Sequence, residues 1–195
     1  MWHNQGVSRG EGGSRERERG RRAPQPLDPA KLQELALRYV SRFATTRAKA
    51  EDYLRRKLRE RGWNGEGSPD PDGLVSKLAA LGYIDDAAFA RAKAGSLGAR
   101  GYGLRRVSQA LAQAGVSEAD GEDARTVAGD GAVEAAVLFA RRRRIGPFAT
   151  GPGDPAAREK ALAAMIRAGH GFALAKAIVN TAPGEQLDLD DFGPH

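Results

Sequence analysis

Cysteine is absent from the 195 residues of this chain. That excludes a disulfide framework, a thiolate metal site and a cysteine nucleophile, and it suits a reducing compartment. Histidine occurs three times only, so the commonest general base and metal ligand is scarce. His3 and His195 stand at the chain ends, and His170 in "RAGHGFALAKA" follows a glycine at a turn between helices, where it reads as structural. No serine has a base partner suggested by the pattern. No apolar run approaches the ~18 residues that a membrane-spanning helix needs. The opening "MWHNQGVSRGEGGSRERERGRR" lacks the apolar core of a secretory signal. Val, Ile and Thr are few, which disfavours strands. Together these absences point to a soluble cytoplasmic protein, all-α, with no membrane partner and no enzymatic site.

What is present is charge, and it is unevenly spread. The net value of +6 divides into +2 over residues 1–30, +7 over 31–111, −5 over 112–136 and +2 over 137–195. The first half of the body is therefore the expected face for an acidic partner or for phosphates.

Residues 1–28 combine Gly, Arg, Glu and Pro with almost no apolar content, so they read as a disordered tail. Residues 183–195, "PGEQLDLDDFGPH", read as an acidic tail. Between them the apolar residues follow helical spacing. Leu32, Leu35, Ala36, Tyr39, Val40 and Phe43 form one stripe; Ala50, Tyr53, Leu54 and Leu58 a second; Leu74, Val75, Leu78 and Leu81 a third. Leu104, Val107 and Leu111 continue the pattern, then Val133, Ala136, Val137 and Ala140, then Leu162, Met165 and Ile166. Gly62, Gly82, Gly115 and Gly169 sit just past such stripes, where a left-handed residue ends a helix.

Two sets of landmarks recur. Tyr39, Phe89 and Phe139 are fifty residues apart, and each is followed within three residues by Arg42, Arg91 or Arg141. Leu58, Leu111 and Met165 each precede a helix-ending glycine by four, and those glycines are 53 and 54 apart. The spacing predicts an internal repeat of three helices: an aromatic helix, a glycine-ended helix and a closing helix. The expected units are 29–83, 84–130 and 131–182.

The stretch "LGYIDDAAFARA" (Leu81–Ala92) places Asp85 and Asp86 between Gly82 and the apolar run from Phe89. Adjacent carboxylates suit a metal site, an acid/base pair or a helix start. No further ligands lie at matching spacing, so both are expected to cap the helix, with Tyr83 and Ile84 packing back on its first turn. "GARGYG" (Gly98–Gly103) follows no strand and lacks the Walker A spacing, so it reads as a flexible inter-helix turn rather than a phosphate loop.

"GYIDDAAFA" (Gly82–Ala90) resembles the most recognisable motif of the RecX proteins, bacterial regulators of the recombinase RecA. "YVSRFATTRAKAEDYLRRKLRERGW" (Tyr39–Trp63) is similar to their first-repeat helix pair, and "RGYGLRRVSQALAQAGV" (Arg100–Val116) to their second repeat. "FARRRRIGPF" (Phe139–Phe148) with "REKALAAMIRAGHGFALAKAIV" (Arg158–Val179) resembles a third repeat found in one branch of the family. The resemblance covers about residues 30–182. It departs at Thr46, which is followed three residues on by Lys49 rather than by the glutamate of a capping box.

The resemblance implies an elongated array of three tandem three-helix repeats. It implies a monomeric regulator that binds along the RecA–single-stranded DNA filament and inhibits ATPase, strand exchange and co-protease action, with no cofactor and no catalytic residue. Direct contact with single-stranded DNA would be weak. Residues expected to meet the partner are Arg55, Arg56 and Arg59 off the apolar stripe of the first repeat, Arg100, Arg105 and Arg106 around the second-repeat glycines, and Arg141 and Arg142 near a helix end. A general nucleic-acid-binding helical module is the alternative, on the same basic residues.

Overall fold

The computed structural model describes residues 25–192. Among them nine α-helices and two short 3-10 turns carry the fold. The first three helices are α1 (Pro29–Arg42), α2 (Arg47–Arg61) and α3 (Pro71–Ala80). The next three are α4 (Asp86–Gly98), α5 (Leu104–Gln113) and α6 (Glu118–Asp130). The last three are α7 (Ala132–Arg143), α8 (Pro155–Arg167) and α9 (Phe172–Asn180). Helices pack chiefly within these triplets, and each triplet closes on its own core. The cores centre on Leu54 and Val75, on Val107 and Leu111, and on Met165 and Ile178. The all-α reading and the three tandem three-helix units hold.

Local chemistry explains the helix starts. α1, α3 and α8 each begin Asp-Pro, the proline occupying a first-turn position whose N–H has no helical partner. The preceding Asp28, Asp70 and Asp154 accept N–H bonds from Lys31, Gly73 and Ala157 at 2.8, 2.8 and 2.6 Å. Thr46 caps α2 by accepting from Lys49 N at 3.3 Å, although the capping box is incomplete.

The glycine ends are as expected. In α5 and α8 the glycine adopts positive φ, 71° at Gly115 and 97° at Gly169. The next residue's N–H returns to the landmark carbonyl: Val116 to Leu111 at 3.1 Å, His170 to Met165 at 3.2 Å. In α2 the landmark works differently, because Gly62 itself donates to Leu58 and then releases the chain into an extended path. There Leu27 and Trp63 form an isolated parallel bridge, and Leu27 is wholly buried in the first core. The expected tail of residues 1–28 lies mostly outside the described residues, but its last part is built into the fold. At the other end Leu187, Leu189 and Phe192 pack against the third core, so the start of the acidic tail is also anchored. The aromatic landmarks are not equivalent: Tyr39 lies in the last turn of α1, Phe89 in the first turn of α4 and Phe139 in the middle of α7.

The units join by one repeated device. The N-terminus of each glycine-ended helix seats on the C-terminus of the next. At the first joint the Thr46 hydroxyl donates to Ala114 O at 2.6 Å, where α5 ends. At the second, Gly103 N donates to Ala168 O at 3.0 Å and Arg105 N to Gly169 O at 3.2 Å, where α8 ends. Helices α8, α5 and α2 therefore run head to tail, each satisfying end groups of its neighbour. His170 is buried in the second joint against Phe139, their ring centres 5.4 Å apart. Burial pushes its pKa down, opposed by the Gly101 backbone, which reaches no hydrogen-bond geometry with either ring nitrogen. "GARGYG" is thus a docked turn, not a flexible one: a Cβ at Gly101 would lie 2.8 Å from Phe139 N.

The two aspartates divide their work. Asp85 caps α4, accepting from Ala88 N at 2.7 Å. Asp86 does not cap its own helix. It is buried and accepts from Arg47 N at 3.0 Å, capping α2 across the first joint. Ile84 is buried in the first core, whereas Tyr83 is exposed and forms no staple. Burial raises the Asp86 pKa, and the Arg47 N–H opposes it. A raised folded-state value means this carboxyl favours folding below its unfolded pKa and loses that contribution as pH climbs through the folded one. At pH 7 Asp86→Asn keeps an acceptor and removes a buried charge, so it is expected to change stability by less than ~1 kcal/mol, measured by urea unfolding. Asp86→Ala strands the Arg47 N–H and should cost about 1–3 kcal/mol. Equal losses in both variants would show that the charge, not the hydrogen bond, holds the joint.

Candidate partner-binding surface

The end of α1 and the outer face of α2 enclose an open groove of about 600 Å³. Helical spacing builds it. Arg38 and Arg42 are one turn apart on α1; Lys49, Asp52, Arg56 and Arg59 follow steps of three and four along α2. Tyr39 and Tyr53 stack across the two helices with centroids 4.2 Å apart and planes 7° from parallel. The Thr45 hydroxyl donates to the Tyr39 hydroxyl at 3.4 Å, and Phe43 tilts against the Tyr39 ring at 5.7 Å. Cations cover the aromatics: Arg56 lies 5.7 Å from the Tyr53 ring centre and Arg42 5.9 Å from Phe43.

Five basic side chains line this groove against a single acid, Asp52. Outside it Glu34 pairs with Arg38, and Glu60 lies 3.9 Å from Arg56. Phe43 is 56% exposed, so an apolar ring stands in water among positive charges. Such a groove can take an acidic, partly apolar protein surface, or a phosphate chain whose bases stack on the rings.

The eight expected arginines fall in three places along the array and do not form one cluster. Arg56 and Arg59 are exposed and line the groove. Arg55 points away: it pairs with Asp72 at 2.6 Å and Glu51 at 3.4 Å, tying α2 to α3. The Asp72 hydrogen bond raises its pKa. Arg100 folds back on its own turn, donating to Ser96 O at 3.1 Å with its guanidinium 5.4 Å from the Tyr102 ring. Arg105 and Arg106 are exposed on the first turn of α5, Arg106 donating to Gln109 Oε1 at 3.0 Å. Arg141 and Arg142 are exposed on the last turn of α7, Arg141 lying 5.2 Å from the Phe148 ring.

Sequence reasoning missed Arg38, Arg42, Phe43 and Lys49. The spacing of Tyr39, Phe43 and Tyr53 continues the apolar stripes and so does not mark them as surface residues. The available signal was that bases flank those aromatics at helical spacing on both helices. Among the described residues no group of three or more His, Asp or Glu is placed to hold a metal ion. Among the same residues no helix is long and apolar enough to cross a membrane.

Comparison with known proteins bears on what this array is. The chain is 34% identical over 180 residues to the "Regulatory protein RecX" of Myxococcus xanthus, covering 88% of this chain and 96% of that one. The chain belongs to the RecX family. A sequence model described as RecX, second three-helix domain, matches residues 85–124, which span α4, α5 and half of α6. The RecX regulatory protein of Thermus thermophilus is 32% identical over 143 residues, 73% of this chain and 87% of the relative. The RecX crystal structure from Lactobacillus salivarius shares the fold, with a TM-score of 0.56 at 20% identity over 77% of this chain and 93% of that one. A second RecX crystal structure gives a TM-score of 0.54 at 24% identity, over 76% and 70%. The family resemblance carried by "GYIDDAAFA" is therefore confirmed, and the relatives are named as regulatory proteins.

Proposed function

We propose that this protein is an inhibitor of RecA that lies along the RecA–single-stranded DNA filament and suppresses ATPase, strand exchange and co-protease action. It acts as a monomer in the cytoplasm, without a cofactor and without catalysis. Membership of a family of regulatory proteins supports the reading, and so does an array whose units present separate basic sites along an extended surface. The observation that carries it is the α1–α2 groove, where five cations face one acid beside stacked tyrosines. Its charge complements an acidic protomer surface, and its rings allow weak, sequence-independent contact with single-stranded DNA.

The same groove keeps a general nucleic-acid-binding module as the second reading, and one titration separates the two. Fluorescence anisotropy would compare a labelled oligonucleotide bare and coated with RecA. The expected result is tighter binding to the coated strand. On the bare strand binding should be weak, with log K falling against log salt by about 0.7 per phosphate neutralised. Tighter binding to the bare strand would support the module and contradict the filament reading.

A further inference from the structure

The third unit carries a pocket that the filament reading does not use. It holds about 430 Å³ between the end of α7, the first turns of α8 and the end of α9. Its floor is apolar, formed by Ile145, Ala161 and Val179; its rim carries Arg143, Arg144, Arg158 and Lys160. No acid lines it. None of the four cations is ion-paired among the described residues. The nearby Asp154 carboxylate accepts from Ala157 N, holding the start of α8.

The backbone at the rim is informative. α7 ends in the same hydrogen-bond pattern as α5 and α8: Ile145 N returns to Ala140 O at 2.9 Å, and Arg144 N to Arg141 O at 3.3 Å. The left-handed position in the other two is glycine. Here it is Arg144, at φ 54° and ψ 52°, the one non-glycine residue of positive φ among the described residues. An L side chain is disfavoured there, so a guanidinium is held on the pocket rim where glycine would suit the fold better. Such strain concentrates at functional positions.

We infer that this pocket binds an acidic peptide segment with an apolar anchor: the anchor fills the apolar floor, and flanking carboxylates meet Arg143, Arg144, Arg158 and Lys160. A bare phosphate group suits the site less. Ile145, Ala161 and Val179 offer it no hydrogen bond, the lining Thr181 hydroxyl already donates to Ala177 O, and the first-turn amide of Ala157 is already taken by Asp154. The groove of the first unit lies on α1 and α2, so the two surfaces are separable by mutation.

The test uses the full chain and a fluorescein-labelled hexapeptide, Glu-Glu-Leu-Phe-Glu-Glu, read by anisotropy. The controls are the same peptide with serine at both apolar positions, and inorganic pyrophosphate as competitor. Binding of the apolar peptide is expected, at least tenfold tighter than the serine control. Arg144→Gly should weaken it at least tenfold while raising the melting temperature, since glycine relieves the left-handed strain. Arg158→Ala should weaken binding with the melting temperature unchanged. Equal binding of the serine control would reduce the site to non-specific charge. Full displacement by pyrophosphate would make it a phosphate site. Retained affinity in Arg144→Gly would remove the rim from the account. Self-association abolished by Arg144→Gly, without peptide binding, would assign the pocket to a second copy. Each of these four results overturns the inference.

Discussion

Reversal of Arg42, Arg56 and Arg59 to glutamate is expected to weaken inhibition of the RecA filament at least tenfold while the helical circular dichroism and the melting temperature stay nearly unchanged. All three side chains line the α1–α2 groove and are exposed. Exposed arginines of this kind contribute within about 0.5 kcal/mol to folding. Against an acidic protomer or a phosphate chain they act through association rate and desolvated contact. Tenfold is only about 1.4 kcal/mol of binding, a modest demand on three reversed charges. Arg55→Glu should behave in the opposite way. It would set a fourth carboxylate among Glu51, Asp52 and Asp72, so the melting temperature should fall with inhibition per folded molecule preserved. If the triple reversal leaves the inhibition constant where it was, the groove is not the contact surface.

The second large effect concerns the joints. Gly103 has an ordinary extended backbone, φ −81° and ψ 171°, so alanine is conformationally free to enter. Yet a Cβ there would lie 2.5 Å from Gly169 O and 2.6 Å from its carbonyl carbon. Both are backbone atoms of the neighbouring unit, so they cannot rotate aside. Gly103→Ala should therefore force α5 off the end of α8, breaking the Gly103–Ala168 and Arg105–Gly169 bonds. Overpacking of this kind costs about 1–3 kcal/mol, which in a chain of this size lowers the melting temperature by roughly 2–4 °C per kcal/mol. Gly95→Ala is the control. That glycine lies inside α4 with nothing within 4 Å of its Cβ direction, so alanine should stabilise by up to about 1 kcal/mol. Equal melting of the two variants would mean that the units do not depend on close backbone approach.

Helix ends and units were readable from the sequence wherever one residue type dictates backbone conformation. Gly115 and Gly169 mark C-termini because glycine takes the left-handed turn at no steric cost, and the Asp-Pro starts of α1, α3 and α8 follow equally local chemistry. α6 left no apolar stripe: its buried face is Gly121 and Ala124, while Val127 is 68% exposed. It packs by closeness against α4, which is itself rich in alanine and glycine, and hydrophobic spacing does not register small residues. Leu27 was lost in an otherwise polar leader because one buried leucine makes no periodic signal. The role of Asp86 across the joint was out of reach, since its partner Arg47 lies 39 residues away. The groove was half visible. Arg56 and Arg59 could be placed off the stripe of α2, but the stacking of Tyr39 on Tyr53 brings α1 bases beside them, and that is a tertiary fact.

Action of this array on a RecA filament can be tested directly. The most direct measurement adds the full-length protein in increasing amounts to RecA from the same organism on single-stranded DNA and follows ATP hydrolysis. A dose-dependent fall in the hydrolysis rate is expected. A rate that stays unchanged with the protein in molar excess would contradict it.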